Sequence, residues 1–141
     1  MITTKGRYGL RLMVDLAQQE KGLFVPLKDV AERQDISEKY LEAIVRTLMT
    51  AGLLEGRRGR TGGYRLVKDP HEYSVSEILE ATEGTLAPVA CLKDMQTPCD
   101  REGSCETLPV WRGFEKVIRD YFSGISLEAL AAGTWKEAAG G

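Results

Sequence analysis

Three cysteines, Cys91, Cys99 and Cys105, fall within residues 91–105, with seven and five residues between them. Thiolates grouped this way can ligate a soft metal, exchange disulfides or sense oxidants. Their spacing is too wide for the Cys-x-x-Cys pairs of structural zinc, whereas a larger cluster tolerates it. The intervening residues are mostly turn-forming and polar, including Asp94, Pro98, Asp100 and Gly103. Such a segment has little apolar surface with which to offset its ordering entropy, and a bound metal would supply that free energy. An odd number of thiols argues against a disulfide framework. Spacing alone leaves open an iron-sulfur cluster, zinc, a redox-sensing thiol set and three independent cysteines.

A second constellation precedes the first. Arg57-Arg58-Gly59-Arg60-Thr61-Gly62-Gly63-Tyr64 packs three arginines and three glycines between two β-prone runs, Leu53-Leu54-Glu55 and Tyr64-Arg65-Leu66-Val67. The glycines permit a tight hairpin with positive φ. Its tip is expected to project Arg57, Arg58 and Arg60 into solvent, where guanidiniums suit phosphates and the narrow minor groove of DNA. A solvated basic turn is the bland alternative.

Stepping upstream, the sequence predicts a helix from Pro26 through Arg33, a turn over Gln34-Asp35-Ile36-Ser37, and a second helix from Glu38 to Ala51 stopped by Gly52. Pro26 suits a first helical turn, and Ser37 is a good N-cap with Glu38 at the positive end of the dipole. Leu41, Ile44, Val45 and Leu48 recur at helical spacing as the buried stripe. Lys39, Glu42, Ala43 and Arg46 fall on the other side, which would enter the major groove. There Glu42 could accept from a cytosine amino group, and Arg46 could reach guanine or phosphate. An earlier helix, Thr4 to about Glu20, carries Leu10, Met13, Leu16 and Ala17 on one face and stops near Gly22. It packs behind the recognition unit, with Lys5, Arg7 and Arg11 placed for phosphate contacts.

Charge divides the same way. Residues 1–73 hold 13 Lys/Arg and 10 Asp/Glu, a net of +3, while residues 74–141 hold 6 and 11, a net of −5. The first half is expected to meet DNA through a focused patch, with strong salt dependence. No run of about 18 apolar residues exists, and the N-terminus opens no signal peptide, so the expected location is the cytoplasm with no membrane contact. A single histidine, His71, read as a surface residue, and the want of a Ser-His-Asp set or phosphate-binding loop leave nothing that resembles an enzyme.

Ser74-Val75-Ser76-Glu77 has a capping-box pattern and opens a helix that stops at Gly84. Trp111, Phe114, Ile118, Tyr121 and Ile125, spaced three, four, three and four, form the seam of a dimerisation helix, joined by Val117 and Phe122. Ser126 caps a short final helix with Leu127 and Leu130. The expected organisation is a winged helix-turn-helix domain (1–83), a cysteine-containing cofactor loop (84–106), the dimerisation helix and a short C-terminal helix (107–132), and a disordered tail (133–141). The fold class is mainly α with a small β-hairpin wing.

Thr4-Lys5-Gly6-Arg7-Tyr8, Ile36-Ser37-Glu38-Lys39-Tyr40-Leu41-Glu42, Arg57-Arg58-Gly59 and Gly62-Gly63-Tyr64 together resemble the IscR-type family of bacterial winged-helix regulators, across most of the chain. The resemblance implies a homodimer reading double-stranded DNA through the helix that carries Glu42 and through the wing. It implies DNA contacts at Lys5, Ser37, Lys39, Tyr40, Glu42, Ala43, Arg46, Arg57, Arg58, Arg60, Thr61, Gly62, Gly63 and Tyr64. Cys91, Cys99 and Cys105 stand where cluster-binding members place three ligands, which implies an iron-sulfur cofactor, 2Fe-2S in preference to 4Fe-4S. The fourth ligand departs from the family. Where IscR has a histidine this chain has Leu108, and where NsrR has an aspartate it has Arg7. Glu106, Asp94, Asp100, Glu102, a hydroxyl, an exogenous thiol or a residue of the other subunit could take that place. CymR, which lacks a cluster, has a mechanism that three cysteines argue against copying.

The expected function is therefore a dimeric repressor of an inverted-repeat operator, tuned by an iron-sulfur cluster. Cofactor state would order or release the 91–105 loop, shift the adjoining helix and alter the separation of two recognition units. A metal-free thiol-redox regulator and a winged-helix protein-interaction module are the alternatives.

Overall fold

A computed structural model describes residues 2–89, 92 and 106–136. Its elements run α1 (Thr4–Ala17), α2 (Leu27–Gln34), α3 (Glu38–Thr50), β1 (Leu54–Arg57), β2 (Gly63–Leu66), a 3-10 turn (Pro70–Glu72), α4 (Val75–Glu83), α5 (Leu108–Ser123) and α6 (Leu127–Ala132). Helix starts follow side-chain chemistry. Ser37, Ser74 and Ser126 each accept a hydrogen bond from the third residue beyond, Tyr40, Glu77 and Ala129 respectively, and so relieve an orphan N–H. Pro26 lies one residue earlier than expected, in an extended N-cap conformation rather than inside α2. The strands are likewise displaced toward the tip by about one residue, pairing Leu54 with Leu66 and Arg57 with Gly63.

α1 is the central element, touching α2, α3, α4, α6 and β2. That position explains why it buries Leu12 and Asp15 besides Met13 and Leu16, with the expected Leu10 and Ala17 only partly covered. The principal core joins these side chains to Val30, Leu41, Ile44, Val45, Leu48, Ile78 and Leu127. A second, smaller core gathers Val75, Leu79, Leu86 and Ile125, with Ile118, Phe122 and Trp135 packed against it. At the start of the tail expected to be disordered (133–141), Thr134 and Trp135 donate backbone hydrogen bonds to the Ala129 carbonyl at 3.0 and 3.2 Å, and residues 137–141 lie outside the described residues.

α1 and α4 meet closely. A Cβ on Gly9 would lie 2.7 Å from Thr82 Cγ2, so glycine is what allows the approach. At the same crossing the Glu83 carboxylate accepts from the Thr3 N–H (2.7 Å), the Thr3 hydroxyl (2.8 Å) and the Gly6 N–H (3.0 Å). A carboxylate thereby sits at the positive end of the α1 dipole.

Tyr73 closes the base of the hairpin. Its buried hydroxyl donates to the Leu53 carbonyl (2.7 Å) and accepts from the N–H groups of Val67 (2.9 Å) and Lys68 (3.3 Å). The chain entering the wing and the chain leaving it are thus tied to one atom. Burial raises the Tyr73 pKa above its ordinary value near 10. The unfolded phenol therefore ionises first; its contribution to stability is complete below about pH 10 and is lost as pH rises through the folded value. Tyr73→Phe should cost about 1–3 kcal/mol by orphaning those backbone groups, and should also flatten the alkaline fall in stability. Chemical denaturation of both proteins from neutral pH to about pH 11 measures each effect.

Candidate DNA-binding surface and cysteine segment

The turn that aims α3 is fixed by a buried carboxylate. Asp15 on α1 is 1% exposed, and its oxygens accept from Arg33 Nη2 (2.8 Å), Arg33 Nε (3.0 Å) and Gln34 Nε2 (2.9 Å) at the end of α2. Arg11 adds hydrogen bonds to the side chain and the carbonyl of Gln34. The Asp15 hydrogen bond makes the Arg33 guanidinium harder still to deprotonate. Asp35 follows in the left-handed region (φ 54°), one of the few non-glycine types that tolerate it. Sequence reasoning missed this network; the available signal was a lone acid inside the apolar stripe of α1.

From that turn α3 presents Lys39, Tyr40, Glu42, Ala43 and Arg46 to solvent, while Leu41, Ile44, Val45 and Leu48 are buried. The side chains of Lys39, Glu42 and Arg46 have no partner among the described residues. Ser37 serves chiefly to start the helix. Tyr40 packs edge-on against Tyr8 at 5.6 Å, and the Arg11 guanidinium approaches the Tyr8 ring at 5.5 Å. In sequence Tyr8 stood only as the end of the Thr4-Lys5-Gly6-Arg7-Tyr8 motif, and nothing periodic marked its contact with Tyr40. Lys5 lies half-buried in the first turn of α1.

The wing is less free than its composition suggested. Gly63 adopts φ +150°, and the Val25 backbone lies where a Cβ would stand. Val25 and Tyr64 exchange two backbone hydrogen bonds of 2.9 Å, an isolated bridge that sequence reasoning did not anticipate. Gly62 is buried against the backbone of Arg57 and Arg58. Gly62, Gly63 and Tyr64 therefore build the hairpin and seat it. Arg57 does not project freely as expected: it donates to the Thr61 carbonyl (2.7 Å) and its Cζ lies 4.4 Å from the centre of the Phe24 ring. Arg58 and Arg60 are exposed at the tip, without a partner among the described residues.

Cys91, Cys99 and Cys105 lie outside the described residues. Leu86 and Ala87, ahead of the cysteines in sequence, and Leu108, after them, are all buried. Leu108 is thus a buried apolar residue at the place where the resemblance to IscR would put a histidine ligand. Among the described residues, Asp69, His71 and Glu72 bring three potential ligand atoms within 4.8 Å of one another. Those acids already have tasks. Lys21 pairs with Asp69 at 2.8 Å and holds its carboxyl below the usual range, and Glu72 caps the Asp69 N–H at 2.9 Å.

The expected apolar seam divides between two faces. Trp111, Phe114 and Tyr121 are exposed on α5, together with Val110 and Val117. Ile118 is half-buried against the second core, and Ile125 is 7% exposed within it. Ile125 leaves the stripe because α5 ends at Ser123; beyond that point its carbonyl accepts from the Val75 N–H at 2.9 Å.

A capped recognition helix, an arginine-tipped hairpin behind it and a long helix with an exposed apolar side define a winged helix-turn-helix transcriptional regulator. The family profile Rrf2, described as an iron-dependent transcriptional regulator, matches residues 2–133, and the chain belongs to that family. It is 35% identical over 133 residues to the transcriptional regulator CymR of Bacillus subtilis, covering 94% of this chain and 91% of CymR. It is also 35% identical over 129 residues to the regulator IscR of Vibrio campbellii, covering 92% and 76% of the two chains. The solved structure of B. subtilis CymR, described as the global cysteine regulator, superposes with a TM-score of 0.75 over 96% of this chain and 98% of that one, at 35% identity. These relatives are transcriptional regulators and not enzymes. Among the described residues no helix is long and apolar enough to cross a membrane.

Gly63→Ala tests how the wing is seated. Both the backbone conformation and the Val25 contact exclude a Cβ, so a loss of at least about 1–3 kcal/mol is expected in thermal or chemical unfolding. An unchanged midpoint would show that the wing can leave Val25 at no cost.

Proposed function

We propose that this Rrf2-family regulator acts as a homodimeric repressor of an inverted-repeat operator, with operator affinity tuned by an iron-sulfur cluster held by Cys91, Cys99 and Cys105. The DNA half of the reading rests on one observation: Lys39, Glu42 and Arg46 on α3, and Arg58 and Arg60 on the wing, are charged, exposed and without partners among the described residues. Unpaired charges on a capped helix and a hairpin tip are available to base edges and phosphates. The apolar side of α5, with Val110, Trp111, Phe114, Val117 and Tyr121 exposed, supports pairing with a second copy. Two recognition units would then meet successive major grooves about one helical turn, or a multiple of it, apart.

Three soft thiolate donors suit an iron-sulfur cluster chemically, and the iron-dependent description of the family supports that assignment. When bound, such a group supplies an oxidant-sensitive centre. The chain's own residues provide a route from α5 to the recognition helix. Arg119 on α5 pairs with Glu80 on α4 and with Glu115 at 3.0 Å. Glu83 of the same α4 caps α1, and Gly9 of α1 lies against Ile44 of α3. A shift of α5 therefore has a packed path to the surface that reads DNA.

The metal-free thiol-redox reading is favoured by one observation, the burial of Leu108, which removes the place IscR uses for its fourth ligand. An absorption spectrum with iron and sulfide analysis on protein purified without oxygen separates the two. Visible bands with iron and sulfide near stoichiometric are expected, and a protein still colourless after reconstitution would reject the cluster. A Cys91, Cys99 and Cys105 triple alanine variant that bound DNA identically in every redox condition would reject the coupling itself. For DNA recognition, Arg58→Ala should weaken binding to all sequences and reduce the log–log salt slope by about 0.9 per lost phosphate contact. Glu42→Ala should instead relax preference at one base-pair position, worth about 1–3 kcal/mol of discrimination. Salt titrations and a base-substitution series read these, and indistinguishable variants would contradict the division of roles.

A further inference from the structure

Phe24 stands in the short connection between α1 and α2, outside every motif read from the sequence. In the hairpin register Glu55 pairs with Arg65 and Arg57 with Gly63, which puts Glu55, Arg57 and Arg65 on the same face. That face lies against Phe24. The Arg57 and Arg65 guanidinium carbons stand 4.4 and 4.1 Å from the centre of its ring. Each arginine is further held: Arg65 by Glu55 at 2.5 Å and the Gly22 carbonyl at 3.0 Å, Arg57 by the Thr61 carbonyl at 2.7 Å. The next residue, Val25, supplies the backbone bridge to Tyr64.

We propose that Phe24 clamps the wing through the guanidiniums of Arg57 and Arg65, so that Arg57 positions the wing while Arg58 and Arg60 carry its contact with DNA phosphates. A hairpin of two four-residue strands is marginal by itself, and an unclamped wing would lose conformational freedom on docking. Cation–π contact on the inward face orders the wing beforehand and spends one of the three arginines in doing so. The consequence for affinity rests on the DNA-binding reading above; the clamp itself does not.

Limited trypsin digestion of the full chain tests the clamp without DNA, since cleavage after Arg58 or Arg60 requires the wing to open locally. Phe24→Leu keeps apolar bulk but lacks the π face. It should speed cleavage at those two sites roughly five- to thirtyfold while leaving cleavage outside the wing unchanged, and Phe24→Trp should restore the wild-type rate. Arg57→Gln reports the same loss should Phe24→Leu fail to fold. Unchanged wing cleavage in the folded variants overturns the clamp. Binding to a mixed-sequence duplex of about three helical turns then tests the division of roles: Phe24→Leu and Arg57→Gln should weaken binding with an unaltered salt slope, unlike Arg58→Ala. A slope reduced by Arg57→Gln as much as by Arg58→Ala would make Arg57 a phosphate contact and overturn the positioning role. A wild-type protein that ignored the duplex would sink the DNA reading, and the cleavage rates would still decide the clamp.

Discussion

The surface proposed to face DNA depends on a carboxylate that has almost no access to water. Asp15 is held by Arg33 and Gln34, and the same residues end α2, so one buried acid fixes where the turn begins and hence where α3 points. An uncompensated charge at such a depth costs about 3–5 kcal/mol, lessened here because the Arg33 side chain is 40% exposed and its attraction is partly screened. An apolar pair of similar volume could stabilise the helix contact equally well. What it could not do is specify an angle, because dispersion has no direction and a forked guanidinium on a carboxylate does.

Around that fixed turn the molecule is arranged as two cores with α4 between them. Ile78 belongs to the principal core, while Val75 and Leu79 belong to the smaller one beside α5 and α6. Neither core can repack without α4 registering the change. The polar contacts of α4 follow the same plan, Glu80 toward α5 and Glu83 toward the start of α1. The nine-residue α4 is therefore one link between the segment after the cysteines and the winged half, and α6, whose Leu127 lies in the principal core, is another.

What the sequence disclosed, it disclosed through local rules. Ser37, Ser74 and Ser126 announce helix starts because a hydroxyl satisfies an N–H three residues away, and Leu41 through Leu48 announce a buried face because helical spacing repeats. Gly63 was legible as a loop residue but not as a seat for the hairpin, since Val25 is distant in sequence. Asp15 with Arg33, Phe24 with Arg57 and Arg65, and Glu83 with Thr3 are likewise contacts across elements, and nothing periodic marks them. The α5 stripe shows the opposite failure: its three-four spacing was real, yet the helix ended before Ile125, and continuing the pattern one step too far placed a core residue on an outer face. The cysteines were conspicuous in sequence, and their placement lies outside the described residues.

The wing separates residues that hold it from residues that do not. Gly62, Gly63, Tyr64, Arg57 and Arg65 are committed to backbone approach, ladder or ring contact, whereas Arg58, Arg60 and Thr61 have exposed side chains. Substitution at the second group spares the packed scaffold, because surface changes away from packed features shift stability by only about 0.5 kcal/mol. If the tip meets phosphates as proposed, affinity for DNA of any sequence can be tuned by mutation there while the fold stands still, through single changes that selection on stability would not remove.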